Sequence, residues 1–203
     1  MSKHIQFKAE VKELLNMMIN SIYSNREIFL RELIANAADA LDKRRFLALT
    51  HPELASEGEI RITADEKART LAISDNGIGM TKDELVENLG TIAHSGSRGF
   101  LDELKKAQDN PATAPELIGQ FGVGFYAAFM AADTVSVLSK KAGEDQAYLW
   151  ESSGVDTFTV TEAKKEDAGT QVLTYPLLPT RLLLKSPKIR TIPSSPAQRP
   201  PIS

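Results

Sequence analysis

Residues 70–80, Thr-Leu-Ala-Ile-Ser-Asp-Asn-Gly-Ile-Gly-Met, join a strand-like run directly to a loop with two glycines. Period-two alternation predicts a strand here, and Glu59-Ile-Arg-Ile-Thr alternates in the same way, so 59–75 is predicted to form an antiparallel hairpin. The two glycines permit a sharp turn and let a ligand approach the backbone closely. In isolation, Asp75-Asn-Gly is equally typical of a plain hairpin turn, and for this motif alone that interpretation is favoured.

An amphipathic helix is predicted before this hairpin, ending where His51-Pro52 breaks the pattern. Glu32, Asn36 and Asp39 follow i, i+4, i+7 spacing and therefore share one helix face. A carboxylate on such a face can orient a water molecule, and an amide oxygen can bind a hard cation such as Mg2+. A solvated polar stripe explains the same spacing equally well.

A third motif, Gly119-Gln-Phe-Gly122-Val-Gly124-Phe125, opens an alanine-rich run that predicts a buried helix. Glycines before a helix N-terminus expose backbone N–H groups that suit phosphate. The motif is neither a Walker A loop nor a Rossmann fingerprint, because it lacks the Gly-Lys-Ser/Thr ending and the G-x-G-x-x-G order. Residues 90–120, just before it, show little fixed pattern and predict a mobile lid.

The remaining predicted elements are short. Thr81 to Glu84 has the pattern of a capping box and predicts a helix to about Leu89. An apolar stripe near the start of the chain predicts another helix. Further strands are predicted over 134–138, 147–151 and 158–160, with one more beginning at Gly169.

Length and composition limit the class of protein. The chain has 203 residues, 42% hydrophobic residues and a net charge of -3, which fits one ordinary globular domain. The charge gives no general reason to expect nucleic acid as a partner. Without cysteine there is no disulfide framework and no thiolate metal site. No signal peptide and no run of about 18 apolar residues is present, so a cytoplasmic protein without a membrane association is expected.

The order of the motifs resembles the ATP-binding fold shared by gyrase, the heat-shock protein 90 chaperones, histidine kinases and MutL. Three runs, YSNREIFLRELIANAADALDK, SDNGIGMTKDELVENLGTIAHSGS and IGQFGVGFYAAFM, are most similar to the bacterial HtpG branch of the chaperones. The resemblance covers about residues 4–173. It implies an α/β (α+β) two-layer sandwich of the Bergerat type, in which helices cover a mostly antiparallel sheet and ATP or ADP binds with Mg2+.

The resemblance also implies roles for single residues. Glu32 would polarise the attacking water, and Asn36 would bind the Mg2+ that bridges the phosphates. Asp75 would bind the adenine amine, helped by Thr170 through ordered water. The other implied contacts are Gly79 and Met80 with the base, Asn88 with the ribose and α-phosphate, and Gly119, Gly122, Val123, Gly124 and Phe125 with the phosphates. His94 stands where many relatives have a lysine, which puts a permanently cationic contact there in doubt.

For the whole protein, the resemblance implies a homodimeric ATPase that acts on unfolded or partly folded client proteins. In such chaperones a middle domain supplies an arginine to the γ-phosphate, so this chain is expected to be a weak, largely monomeric ATPase on its own. A DNA-acting ATPase related to gyrase or MutL is an alternative. It is disfavoured by the sequence of residues 119–125 and by the absence of a basic DNA-binding face. A histidine kinase would need a phosphoacceptor helix, for which His4 and His51 are poorly placed.

The last thirty residues differ from the rest. Seven of the ten prolines lie after residue 175, and no acidic residue follows Asp167. This composition predicts disorder or extended coil, with a nucleotide-binding domain over 1–173 and an atypical tail over 174–203. One hypothesis is a one-base frameshift after about Leu173, because relatives continue with a run resembling V-x-L-H-L-P. A divergent linker is the alternative.

Overall fold

An antiparallel sheet of eight strands forms one layer of the protein, and helices pack against it as the other. The computed structural model describes residues 3–6, 28–90, 124–154, 157–177 and 190–193. The helices are α1 (Ile28–Leu47), α2 (Lys82–Gly90) and two 3-10 helices, Pro52–Leu54 and Gly124–Met130. The strands are β1 (Lys3–Gln6), β2 (Glu59–Asp65), β3 (Thr70–Asp75), β4 (Ala132–Lys140), β5 (Ala147–Ser152), β6 (Thr157–Ala163), β7 (Gly169–Leu177) and β8 (Arg190–Pro193). The predicted two-layer α/β class is confirmed.

The order of strands across the sheet is β1-β6-β5-β4-β7-β3-β2-β8. The predicted hairpin is present, with Asp65 opposite Thr70 where β2 turns into β3. Strand β7 lies between β4 and β3, and Thr170 is therefore opposite Ser139 on one side and Asp75 on the other. These three residues lie at one end of the central strands, next to the glycine loop that follows β3.

Helix α1 is amphipathic because its apolar residues recur at helical spacing and pack on the sheet. Phe29, Leu33, Ala37 and Leu41 are buried, as is the carboxylate-bearing Asp39. The helix ends at Leu47, just before the predicted break at His51-Pro52. The predicted helix near the start of the chain lies outside the described residues.

Helix α2 begins with the reciprocal capping box that the sequence predicts. The backbone N–H of Thr81 donates to the Glu84 carboxylate at 2.7 Å, and the Glu84 N–H donates to Thr81 Oγ1 at 3.2 Å. Two N–H groups that the first helical turn leaves without partners are thereby satisfied. Glu84 has a second contact with Lys141, so the cap also joins α2 to the end of β4.

Aromatic side chains form the core beneath the 3-10 helix Gly124–Met130. Trp150 is fully buried, stacks on Phe158 and meets the edge of Phe125 at a centroid distance of 5.4 Å. Tyr126 donates its hydroxyl hydrogen to the carbonyl of Leu89 at 3.0 Å. The indole N–H of Trp150 has no hydrogen-bond partner among the described residues.

Two elements before residue 173 differ from the sequence predictions. The buried helix predicted from Phe125 is a 3-10 helix rather than an α-helix, and the Ala131 N–H donates to the Ala128 carbonyl three residues back. Because β4 begins at Ala132, only a short, tight helical piece fits there. Strand β1 was not predicted, since its four residues are too few for alternation to be recognised.

The segment beyond residue 173 contains sheet structure. Strand β7 runs to Leu177, four residues past the predicted domain end, and β8 pairs with β2 at the sheet edge. Pro193 in β8 is compatible with an edge strand, where one ladder N–H can be absent. The predicted lid lies outside the described residues apart from Gly90, as does most of the tail.

In the part of the chain that the structure describes, no helix has the length and apolar character needed to span a bilayer.

Replacing Gly77 with alanine is expected to destabilise the fold more than an ordinary glycine substitution. A Cβ at Gly77 would lie 2.6 Å from the backbone carbon and 2.7 Å from the Cβ of Ala40, and backbone cannot move aside cheaply. We expect Gly77→Ala to lower the free energy of unfolding by about 1–3 kcal/mol, as for other overpacked sites. Urea denaturation measures this loss.

Gly143→Ala is the comparison variant. Unlike Gly77, Gly143 has a positive φ, 87°, and a Cβ there would meet Leu54 Cδ2 at an ordinary 3.5 Å, so only its backbone conformation opposes a side chain. The left-handed backbone alone is expected to cost about 1 kcal/mol. A Gly77→Ala variant as stable as the Gly143→Ala variant would show that α1 and the loop are not packed as tightly as described.

Candidate functional site

Asp75 ends β3, and one of its two carboxylate oxygens is already held by the backbone. Oδ1 accepts the N–H of Gly77 at 2.9 Å and the N–H of Thr170 at 3.4 Å. Within the described residues, Oδ2 makes no hydrogen bond. The carboxylate is therefore fixed in orientation and still has one oxygen that can accept a hydrogen bond from a ligand.

The ionisation of Asp75 reflects its surroundings. Loss of hydration raises the pKa of Asp75 from 3.8 to about 7, against the opposing effects of the N–H donors of Gly77 and Thr170 and the charge of Lys165. The residue as a whole is half-buried and therefore keeps some contact with solvent. In its ionised form, this poorly hydrated carboxylate is a strong hydrogen-bond acceptor for a ligand group that donates hydrogens.

The backbone of the glycine loop turns tightly beside the sheet. Gly79 has a φ of 66°, and a Cβ there would collide with the carbonyl oxygen of Lys140. The loop is further held by Met80, whose N–H donates to Ser139 Oγ at 2.9 Å. Ser139 Oγ is also 2.8 Å from Thr170 Oγ1. The structure thus brings Asp75, Met80 and Thr170 together, with Gly79 between the first two.

Asn88 reaches this group from α2. Its side-chain amide lies 4.0 Å from the sulfur of Met80, which is a weak contact, and both residues are half-buried. Met80 also packs against the hydrophobic core, so a flexible apolar side chain forms one wall of the site. The residues predicted to contact the base, Asp75, Gly79, Met80 and Thr170, therefore lie in one place, and Asn88, predicted to contact the ribose and α-phosphate, lies next to them.

Helix α1 connects this group to Glu32. The N–H of Ile78 donates to the carbonyl of Ala40 at 3.0 Å, so the loop is attached to the helix directly. Glu32 lies eight residues earlier, about 12 Å along the helix axis. Asn36 is midway between them, half-buried, and its side chain makes no hydrogen bond to the described residues.

Glu32 meets the end of the third glycine motif. A Cβ at Gly124 would lie 2.5 Å from Glu32 Oε2, so the glycine permits the carboxylate to approach the backbone. The Glu32 side chain is 26% exposed and, among the residues that the structure describes, forms an ion pair with Arg31 at 3.3 Å. Phe125, by contrast, has its ring in the core and could offer a ligand only its backbone. Gly119, Gly122, Val123 and His94 lie outside the described residues.

The metal-ligating oxygen atoms at this site fit Mg2+ only if phosphate oxygens supply the other ligands. Among the described residues no group of three or more His, Cys, Asp or Glu side chains could hold a metal by itself. Mg2+ commonly keeps several waters and takes one or two protein oxygens together with phosphate oxygens. The unoccupied amide oxygen of Asn36, one helical turn from Glu32, meets that modest requirement.

A cluster of charged residues beside the loop was not identified from the sequence. Lys141 donates to Glu84 at 2.6 Å, and Asp39 and Lys43 face them from α1. Loss of hydration lowers the pKa of Lys43 to about 8, although Asp39 and Glu84 favour its charged form. Desolvation raises the pKa of Glu84, but hydrogen bonds from Lys141 and Thr81 outweigh it and leave that pKa below its ordinary value. Only the fold reveals this cluster, since its members come from three separate segments.

Comparison with known proteins places the chain among nucleotide-dependent enzymes. Residues 23–172 match the family described as histidine kinase-, DNA gyrase B- and HSP90-like ATPase. The chain is 52% identical over 188 residues to the chaperone protein HtpG of Methylobacterium nodulans, covering 92% of this chain and 30% of that protein. It is 55% identical over 175 residues to HtpG of Gluconobacter oxydans, with 85% and 28% covered, and 56% identical over 173 residues to HtpG of Bacillus licheniformis, with 83% and 26% covered. The chain thus spans less than a third of the length of these relatives.

The raised pKa of Asp75 predicts an unusual dependence of stability on pH. Between pH 3.8 and about 7 the folded protein holds a proton that the unfolded chain has lost, so this group's contribution is present below pH 3.8 and disappears as pH rises through 7. Asp75→Asn removes the charge while keeping an oxygen for the two backbone donors. We expect the variant to unfold at higher urea concentration than the wild type at pH 8, and the difference to shrink towards pH 4.

Asp65→Asn is the control for this measurement. Asp65 is exposed, and its Oδ1 likewise accepts two backbone N–H groups, from Lys67 and Ala68 at 2.9 Å. No stabilisation is expected from that change. An Asp75→Asn variant that is no more stable than the wild type at pH 8 would mean that the buried charge carries no energetic cost.

Proposed function

Because the chain belongs to the histidine kinase-, DNA gyrase B- and HSP90-like ATPase family, we propose that it is the N-terminal ATP-binding domain of an HtpG-type chaperone. The observation that carries this proposal is the Asp75 carboxylate, with one oxygen occupied by two backbone N–H groups and the other available. An exocyclic amine such as that of adenine complements that second oxygen. The identity of 52–55% to chaperone proteins named HtpG favours the chaperone among members of the family.

The surroundings of Asp75 support a flat base as the ligand. Met80 supplies an adaptable apolar surface, and Gly79 lets the loop turn tightly against the backbone of Lys140, which keeps Met80 next to Asp75. Thr170 offers a hydroxyl beside the carboxylate, and Asn88 a side-chain amide farther out. A base held in this way would point its sugar and phosphates along α1 towards Asn36 and Glu32.

The phosphate end would be formed by Glu32, Asn36 and the motif that ends at Gly124 and Phe125. Asn36 would hold Mg2+, which supplies positive charge to the phosphate oxygens. Glu32 would accept a proton from the attacking water, since its carboxylate is accessible and fixed by the approach of Gly124. Gly119, Gly122 and Val123 would add backbone N–H groups around the phosphates.

The activity of the whole protein extends the proposal. A middle domain would supply an arginine to the γ-phosphate, and the chain alone would hydrolyse ATP weakly. In the full-length protein, a homodimer would use ATP hydrolysis to act on unfolded or partly folded clients in the cytoplasm. The chain itself would be a monomer, without nucleic acid or membrane as a partner.

Titration calorimetry with ADP and Mg2+ tests the base site. We expect the wild-type chain to bind ADP and Asp75→Asn to lose detectable binding, because the asparagine amide would present its hydrogens to the hydrogens of the base amine. Asp65→Asn should bind as the wild type does. Folded wild-type protein that binds no ADP, or an Asp75→Asn variant with unchanged affinity, would overturn the assignment.

A second measurement separates binding from hydrolysis. Glu32→Gln keeps the size of the side chain but removes the base, so ADP affinity should stay within about threefold while ATP turnover falls by roughly 100-fold, the lower end for a general base. Phosphate release with protein in excess over ATP measures the turnover. Glu53→Gln is the control, since that exposed carboxylate lies after α1 and, among the described residues, pairs with His51. Undiminished turnover in Glu32→Gln would remove Glu32 from the reaction.

A further inference from the structure

Asn76 follows β3 directly, and it is the one asparagine in the sequence that precedes a glycine. An asparagine in this setting can lose its side-chain amide without an enzyme, because the backbone nitrogen of the next residue can attack the side-chain carbon Cγ. Glycine permits this attack most readily, since it has no side chain to hinder the approach. The Asn76–Gly77 dipeptide is therefore the position in this chain that is chemically most susceptible to deamidation.

The reaction needs no reactant other than water. The Gly77 nitrogen gives up its hydrogen and forms a bond to Asn76 Cγ. The bond from Cγ to the side-chain nitrogen breaks, and ammonia leaves with that hydrogen. The product is a cyclic succinimide, which water opens at either of its carbonyl carbons. One opening gives aspartate, and the other gives isoaspartate, in which the main chain runs through the former side chain.

In the folded chain, the segment before β2 holds the side chain of Asn76. Its Oδ1 accepts the N–H of Glu59 at 2.7 Å, and its Nδ2 donates to the Glu57 carbonyl at 2.6 Å and to Ser56 Oγ at 3.2 Å. The orientation of the amide is unambiguous, because the Glu59 N–H can only donate and the Glu57 carbonyl can only accept. The side chain cannot turn freely without leaving these three partners.

The peptide group between Asn76 and Gly77 is held as well. The Gly77 N–H donates to Asp75 Oδ1 at 2.9 Å. The Asn76 carbonyl accepts a hydrogen bond from Arg44 at 2.6 Å. Closure of the succinimide ring requires this peptide to rotate about the Cα–C bond of Asn76, out of the ordinary backbone conformations. Both reacting groups are thus fixed by the fold, and the reaction requires at least a local opening of the chain.

We propose that Asn76–Gly77 is a spontaneous modification site that the fold keeps closed, so that its deamidation records the opening of this segment whether or not a ligand is bound. The isoaspartate product fits the folded chain poorly. It lengthens the main chain immediately before Gly77, where the backbone of Ala40 leaves no room for even a Cβ. A modified chain therefore returns to the folded state less readily than an unmodified one.

The rate of deamidation in the complete chain tests whether the fold closes the site. Folded chain in buffer is compared with chain unfolded in guanidinium chloride at the same pH and temperature. Mass spectrometry of the peptide that contains Asn76 detects the replacement of NH2 by OH. The folded chain should react at least about tenfold more slowly, because the open form lacks the three hydrogen bonds of the side chain. Equal rates in the two conditions would overturn the inference.

Ser56→Ala tests the contribution of the side-chain hydrogen bonds, since it removes one partner of Asn76 at an exposed position. It should speed the reaction of the folded chain by about twofold, the effect of one weak hydrogen bond, and leave the unfolded rate unchanged. Ser74→Ala is the matched control, because Ser74 is close by on β3 but its hydroxyl contacts Gln171. No acceleration in Ser56→Ala, or an equal one in Ser74→Ala, would contradict the role of these bonds.

A refolding experiment tests what the modification does to the chain. Wild-type protein that has been partly deamidated in guanidinium chloride is returned to buffer, and size-exclusion chromatography separates folded from unfolded chains. Isoaspartate at residue 76 should be about tenfold rarer among the folded chains, as expected for an overpacked position. Aspartate should be distributed more evenly, because it keeps an oxygen for the Glu59 N–H. Equal isoaspartate contents in both fractions would show that the fold accommodates the modification.

Discussion

The contact between Gly77 and Ala40 determines how far the helix layer lies from the sheet at the site. The two backbones meet without a side chain between them, and the Ile78 N–H donates to the Ala40 carbonyl. One helical turn later, Arg44 donates to the Asn76 carbonyl at 2.6 Å. Three consecutive loop residues are thus attached to a single stretch of α1. Because a helix is stiff over two or three turns, this attachment also fixes where Glu32 lies relative to Asp75.

The buried charges on the two sides of the glycine loop after β3 differ in whether they have partners of opposite charge. Lys43, Glu84 and Lys141 form a cluster in which each charge has a neighbour of opposite sign, which is the usual condition for burying ions. Asp75 has only backbone donors and a more distant Lys165, and its raised pKa expresses the resulting cost. Such a cost at a single residue is typical of a group that is kept for function rather than for stability, which agrees with the role proposed for Asp75.

Sequence reasoning located the elements but not the links between them. The hairpin, the capping box of α2 and the strand at Gly169 follow from local patterns, and these are the features that the structure confirms. The roles of Ala40 and Ser139 could not be predicted, because each depends on a contact between segments distant in the chain, 37 residues apart for Ala40 and Gly77 and 31 for Ser139 and Thr170. The helix after Gly124 was assigned the wrong type because periodicity cannot show that a strand begins at Ala132. The positions of residues 119–123 and the lid remain predictions.

The aromatic core under Gly124 has a practical consequence for optical measurements. Trp150 is the one tryptophan in the chain, so its emission originates from a single, fully buried location. The ring of Phe125 meets it edge-on, and Phe125 follows the glycine that admits the Glu32 carboxylate. Any rearrangement of the backbone at residues 124–125 therefore alters the immediate environment of the only strong intrinsic fluorophore. The protein contains its own reporter for this part of the chain, with no label attached.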